Sequence, residues 1–428
     1  MVGALFLLLV LQPFIGSGMT TVALVLLVIC ACFEAHFMIP KRAVSLLIIP
    51  AMMLVLGTAE SASHSLRDVL KDYWYFIFPA LSVFAGQMVA RRIKRIEPIL
   101  LAFVASGVVL SCWHLINFVA HRGSLGADDL NDIRSEVGSG YMLSAISPLI
   151  LFLSGKFNIS LLPARAKIVP IAIYCITISS VVLAMSRTIT ISLILSSIAG
   201  LGWLTAKRKG GLVIGGVVIT AVLGLSAVLP EDVGTFLGKL ARSREEVTFN
   251  NFNTTTDAIQ YWRAYETLKG LQAYGDGNAV QKAVGLGFGK LVDIGFSVQL
   301  GATELREIPL FHNGYVYVLV KTGYVGLGLF FVYLAGFYIK GARSADSGIP
   351  EQQLVGGLTM AMTVTVLVST FVIAGWFNPM TMCSVMLFIG TLMEFLEDVN
   401  VSRTVRIARP MPQNQLAAIH PSPSGSDH

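Results

Sequence analysis

The sequence predicts an all-α fold, a polytopic bundle of about twelve transmembrane helices with one large loop on its outer face. Three observations carry this prediction. The 428-residue chain is 54% hydrophobic and only 13% charged, with a mean hydropathy of +0.72, whereas soluble domains hold about 25% charged residues. A soluble fold of this size could not hide so much apolar surface, so the bilayer acts as solvent. The apolar residues come in runs of roughly 20, the length that crosses a bilayer. Lys and Arg fall mainly in alternate gaps between those runs.

The expected spans begin near Val2, Met19, Ala43, Tyr73, Pro98, Tyr141, Ile168, Thr188, Gly211, Phe311, Leu354 and Met380. The runs at Val2 and Ala43 are short, which leaves ten or eleven spans as the alternative count. The first sixteen residues lack a basic flank and are expected to stay as a first helix rather than act as a cleaved signal. Residues 1–399 form the membrane domain, which includes a large outer loop over 230–310. Residues 400–428, rich in Pro, Ser and Gln, form a tail expected to be disordered. The 40 glycines suit helices that pack closely in lipid. Cys30, Cys32, Cys112, Cys175 and Cys383 all lie in apolar runs, where a free Cys is a small hydrophobe. No Cys/His spacing has the form of a metal site, so neither metal nor cofactor is expected. No basic stretch is interleaved with aromatics, so nucleic acid is not an expected partner.

With the N-terminus inside, the inner connections hold Lys41 and Arg42; Arg91, Arg92, Lys94 and Arg95; Lys156, Arg165 and Lys167; Lys207, Arg208 and Lys209; and Lys340 with Arg343. The tail adds Arg403, Arg406 and Arg409. The outer short loops hold only Arg67, Lys71, Arg122, Arg134 and Arg187. The positive-inside rule then places both termini in the cytoplasm. Tyr73, Trp74, Tyr75, Trp376 and Phe377 are expected to anchor the outer helix ends at the interface, and Asn378-Pro379 to make a tight outer turn.

Ionisable groups at membrane depth are costly and mark functional sites. Here the candidates lie at the outer end. Arg187, in Ser186-Arg187-Thr188, sits between two apolar runs with almost no loop around it. It offers a fork of donors to phosphate oxygens, or else snorkels to lipid headgroups. Arg263 lies in a stretch, Thr254 to Ala273, that reads as one helix with Ile259, Trp262 and Tyr265 as its buried stripe. Its bland alternative is a surface pair with Glu266 at i+3. His312 and Asn313 begin a helical run just past the long loop, and Gly323 and Gly326 further on suit close approach by another helix. A His at a helix start is otherwise a hydrogen-bonded structural residue. The glycines of Gly285-Leu286-Gly287-Phe288-Gly289 would let backbone N–H groups face phosphate, or simply form a turn. Asp128, Asp129 and Asp132 lack a full calcium-loop pattern and read as a solvated acidic face.

The order His-Asn, nine residues, Gly, two residues, Gly, placed after a long outer loop, resembles the signature of the bacterial O-antigen ligase and polysaccharide polymerase superfamily. Ser186-Arg187-Thr188 looks like that family's arginine at an outer span junction, and Arg263 like its loop arginine, a role for which Arg242, Arg244 and Arg306 compete. The resemblance runs from about Ile168 to Phe395. It implies a helical fold of the membrane glycosyltransferase type in the bacterial inner membrane, with a periplasmic site. It further implies transfer of an undecaprenyl-diphosphate-linked glycan to an acceptor sugar, either the lipid A core or a growing polysaccharide. On this resemblance Arg187 and Arg263 bind the diphosphate, His312 acts on the acceptor hydroxyl, and Ser186, Asn313, Gly287 and Gly289 contribute to substrate binding. Two guanidinium groups can stabilise a leaving diphosphate without a metal, and imidazole, titrating ordinarily near ~6.5, suits general-base work. Ligase and polymerase are not separated by the motif. The alternative from another class is a transporter or flippase of lipid-linked saccharides, which would place polar groups at mid-membrane along a path.

Overall fold

A computed structural model of the chain describes residues 1–34, 41–121, 138, 140–163, 168–203, 252, 254–300 and 303–396. The expected span near Gly211, the acidic residues Asp128, Asp129 and Asp132, the loop arginines Arg242 and Arg244, and the 400–428 tail lie outside the described residues. So do several basic residues of the expected inner loops, Arg165, Lys167 and Lys207 among them.

The described chain is mainly helical. In order it forms α1 (Val2–Leu11), α2 (Gly16–Glu34), α3 (Lys41–Thr58), α4 (Leu66–Ile93), α5 (Ile96–Ala120), α6 (Met142–Lys156), α7 (Ile168–Leu183) and α8 (Arg187–Gly200). The long loop then contributes α9 (Thr255–Gln260), α10 (Trp262–Gly275), α11 (Ala279–Val284) and the strands β1 (Val292–Leu300) and β2 (Thr303–Ile308). The chain returns to the bundle with α12 (Gly314–Ala345), α13 (Pro350–Ile373) and α14 (Pro379–Phe395). Five helices, α2, α4, α5, α12 and α13, are long and apolar enough to cross a membrane, and six shorter apolar helices accompany them. This is the composition of a helical membrane protein.

Close approach of backbones accounts for several of the glycines. A Cβ on Gly86 of α4 would fall on the Leu387 carbonyl of α14, and one on Gly390 of α14 would fall on the Val83 carbonyl of α4. The same holds between α12 and α13 at Gly341 and Gly356, and between α8 and α13 at Gly357, where a Cβ would fall on the Gly200 carbonyl. Lipid offers no hydrophobic drive for helices to associate, so small residues and buried hydroxyls do the joining. Ser196 of α8 accordingly lies 2.6 Å from the Thr365 hydroxyl and donates to the Ala361 carbonyl at 3.0 Å, both on α13. Gly390→Val is expected to destabilise the protein by about 1–3 kcal/mol through overpacking. Gly336→Val, facing open space, is the control. Thermal unfolding of both purified variants in detergent tests this, and equal midpoints would refute the packing role.

The two ends of the bundle differ. At one end Arg91 approaches Glu394 at 3.9 Å, Gln352 donates to the Phe395 carbonyl at 2.9 Å, and Lys156 donates to the Leu201 carbonyl at 3.1 Å. The basic helix ends therefore gather together. At the other end Gln12 donates to the Met380 carbonyl at 2.6 Å, and the Ala374 N–H donates to the His312 carbonyl.

The mainly helical chain agrees with the all-α expectation, and the long loop adds one antiparallel hairpin of β1 and β2, with a register shift between Asp293 and Val298. Several other expectations are corrected. Helix α4 starts seven residues before the expected Tyr73, at Leu66. Trp376 and Phe377 are core residues, 4% and 0% exposed, packed on Phe330. Tyr73 and Tyr75 likewise turn inward, onto Phe288 and Tyr317. The stretch Thr254 to Ala273 is two helices broken at Tyr261, and Ile259 is 55% exposed rather than part of a stripe.

Candidate active site

Three segments converge at the end of the bundle remote from the basic helix ends. The first is the turn between α7 and α8. Met185 takes a left-handed backbone (φ 46°), and Ser186 caps α8, its Oγ accepting from the Ile189 N–H at 3.5 Å. The cap leaves Arg187 as the first residue of the helix. Its guanidinium thus stands at a helix N-terminus, where the backbone also favours anions.

The second segment is α10. Gly270 lets this helix lie directly on α12, since a Cβ there would meet Val316 and the Phe311 ring at 2.8 and 2.9 Å. Tyr265 ties it to the hairpin by donating to the Ile294 carbonyl at 2.6 Å. Arg263 and Glu266, three residues apart, share a face of α10.

The third is the start of α12. Asn313 caps the helix, its Oδ1 accepting from the Tyr315 and Val316 N–H groups at 3.1 and 3.4 Å. Gly314 is required because a Cβ would strike the Ala374 carbonyl at 2.9 Å. His312 is held at its carbonyl by Ala374 and at its backbone N–H by the Glu266 carboxylate. Its ring Nδ1 lies 3.0 Å from both Glu266 oxygens.

Arg187, Arg263 and His312 line one cavity of about 380 Å³, within the usual range for ligand sites. Ser186 lines it too, with Gln12, Tyr141, Asn378 and Ser384. Its wall includes the N-terminal residues of α6, α8 and α14 and, at Gln12 and Ile373, the C-terminal ends of α1 and α13. The three N-termini and the two guanidinium groups bring positive charge that suits an anionic ligand. Among the described residues no group of three His, Cys, Asp or Glu could hold a metal ion.

The other expected site residues are placed differently. Asn313 serves as the cap and is not part of the cavity wall. Gly287 and Gly289 are not in the cavity either. Their turn is a clamp, with positive φ at Gly285, Gly287 and Gly289 (94°, 85° and 84°). Leu286 donates its N–H to the Val320 carbonyl, Phe288 to the Gly57 carbonyl, both at 2.7 Å, and Gly289 to Asp72. Those three N–H groups are thus committed to protein acceptors rather than phosphate. Gly323 (φ 66°) kinks α12 and admits the Ala283 carbonyl of α11, so there another helix does approach closely, whereas the space beside Gly326 is filled by Thr322 of its own helix. Arg306 pairs with Asp293 across the hairpin at 3.3 Å, outside the cavity. The Gly295 N–H, followed by Arg306, holds the Asp293 carboxyl below the usual range.

Two features escaped the sequence reading. Glu266 is 1% exposed rather than a surface partner of Arg263. Asp72 and Lys321 form a buried ion pair at 2.6 Å, completed by the Tyr317 hydroxyl, the Gly289 N–H and the Lys290 carbonyl. Comparison of the chain with protein-family models finds none that matches, and no curated protein matches it.

Proposed function

We propose that this chain is a membrane glycosyltransferase of the O-antigen ligase and polysaccharide polymerase type. Its donor is a glycan on undecaprenyl diphosphate, and its acceptor is the lipid A core or a growing polysaccharide. The supporting observation is the convergence of Arg187, Arg263 and His312, distant in sequence, on one cavity at the end of the bundle opposite the basic helix ends. Under the positive-inside rule that end is periplasmic, with both termini cytoplasmic.

In this reading Arg187 and Arg263 hold the diphosphate, and the helix N-terminus beside Arg187 adds to their field. His312 accepts the proton of the acceptor hydroxyl. The freed oxygen attacks the anomeric carbon from the face opposite the diphosphate, and the sugar–phosphate C–O bond breaks with inversion. The electron pair leaves on the diphosphate, where the guanidinium groups meet it.

Reconstitution of the purified protein with a lipid-linked glycan and candidate acceptors tests the assignment. Wild type should join glycan to acceptor. Arg187→Ala should lower the rate about 10²-fold or more, in the range for removing one charge-stabilising donor. Arg187→Lys should recover little of it, because an ammonium lacks the planar fork. Movement of lipid-linked sugar across the bilayer without any joining would instead identify a transporter and overturn the proposal.

A further inference from the structure

We propose that Glu266 is a positioning residue that holds the His312 imidazole in one tautomer, with its proton on Nδ1 and its lone pair on Nε2. This role rests on the reading of His312 as the base. A carboxylate can only accept, and both Glu266 oxygens stand 3.0 Å from Nδ1. The neutral ring therefore carries its proton there, which leaves Nε2 as the nitrogen able to take another. The His312 side chain is 46% exposed and lines the cavity, whereas the Glu266 side chain is 2% exposed. The carboxylate works from behind the ring.

A buried carboxylate needs partners, and the Glu266 carboxylate accepts the His312 backbone N–H and lies 3.0 Å from its ring Nδ1. Two of its contacts thus come from this one residue. The seat is rigid, because Gly270 locks α10 on α12 and the Ala374 N–H fixes the His312 carbonyl. During transfer the acceptor O–H proton passes to Nε2, the Nδ1 proton stays in place, and Glu266 remains an anion facing the imidazolium. A Gln at 266 keeps an acceptor for the His312 backbone but removes that charge and allows its amide to favour the opposite tautomer.

The test compares full-length wild type, Glu266→Gln, His312→Ala and the double variant, all reconstituted with lipid-linked glycan and acceptor. Glu266→Gln should lose about 10²- to 10⁴-fold in kcat with an unchanged KM for the donor. The double variant should be no slower than His312→Ala, since residues acting as one unit do not add. A second readout needs no turnover. In mildly alkaline buffer, ¹⁵N spectra of histidine-labelled protein, assigned by difference from His312→Ala, should show the Nδ1–H tautomer in wild type and its loss in Glu266→Gln. Wild-type kcat in Glu266→Gln beside an inactive His312→Ala would overturn the role of Glu266 and leave the base reading intact. Full activity in His312→Ala would overturn both. Additive losses, or an unchanged ¹⁵N spectrum, would make Glu266 merely structural.

Discussion

His312→Ala is expected to lower glycan transfer by about 10²- to 10⁴-fold, the usual worth of a general base, while binding of the lipid-linked donor persists. The two effects should separate because the proposed function gives the donor's charge to Arg187 and Arg263, on other parts of the cavity wall. The substitution leaves Glu266 buried without its ring partner, so some stability is lost as well. His312→Gln, which still offers a donor toward Glu266 but cannot take a proton, separates that loss from the chemistry. Both variants should elute and melt as folded proteins, bind donor with near-native affinity, and fail to join it to acceptor. Transfer at the wild-type rate by folded His312→Ala would remove His312 from the mechanism.

The largest stability effect is expected at Asp72. Removing it as Asp72→Ala strands the Lys321 ammonium, 0% exposed, and takes the acceptor from the Tyr317 hydroxyl and the Gly289 N–H. Breaking one partner of a buried pair costs about 3–5 kcal/mol. The pair is supported by the Tyr317 hydroxyl, the Gly289 N–H and the Lys290 carbonyl, and lies against the glycine clamp. Lys321→Met should destabilise the protein similarly, and Asp72→Leu combined with Lys321→Met should recover part of the loss, because two apolar residues need no partner. Thermal unfolding in detergent decides the matter. Single variants that melt with the wild type would show that the pair contributes nothing to stability.

Periodicity and composition made much of the bundle legible. Eleven of the expected starts fall in or just before described apolar helices, five of which are long and apolar enough to cross a membrane. Boundaries were less legible: α4 begins at Leu66 because an amphipathic turn with Asp68 and Lys71 precedes the apolar run. The hairpin was missed because Val292 to Leu300 follows the glycine-rich turn Gly285–Gly289 in a stretch read only as loop. Arg187, Arg263 and His312 could be singled out from sequence because each departs from its apolar or loop surroundings. Glu266 could not. Its position three residues after Arg263 reads as an ordinary surface pair, and only the contact of α10 with α12 at Gly270 turns it onto His312. The glycine turn shows the converse. Its pattern suits phosphate, but its N–H groups are used by Val320, Gly57 and Asp72.

The kink at Gly323 divides α12 into two arms of unequal length. The short arm, Gly314–Thr322, carries His312 at its head and is tied at its foot by Lys321 to Asp72. The long arm, Tyr324–Ala345, continues through the apolar layer. Helices tilt when bilayer thickness changes, and a straight α12 would swing its own tip by the same rotation. With the break in place, the long arm packs along α13 at Gly341 and Gly356 while the short arm keeps its own direction. The kink thus uncouples the axis of the segment that carries His312 from the axis of the longer segment below it.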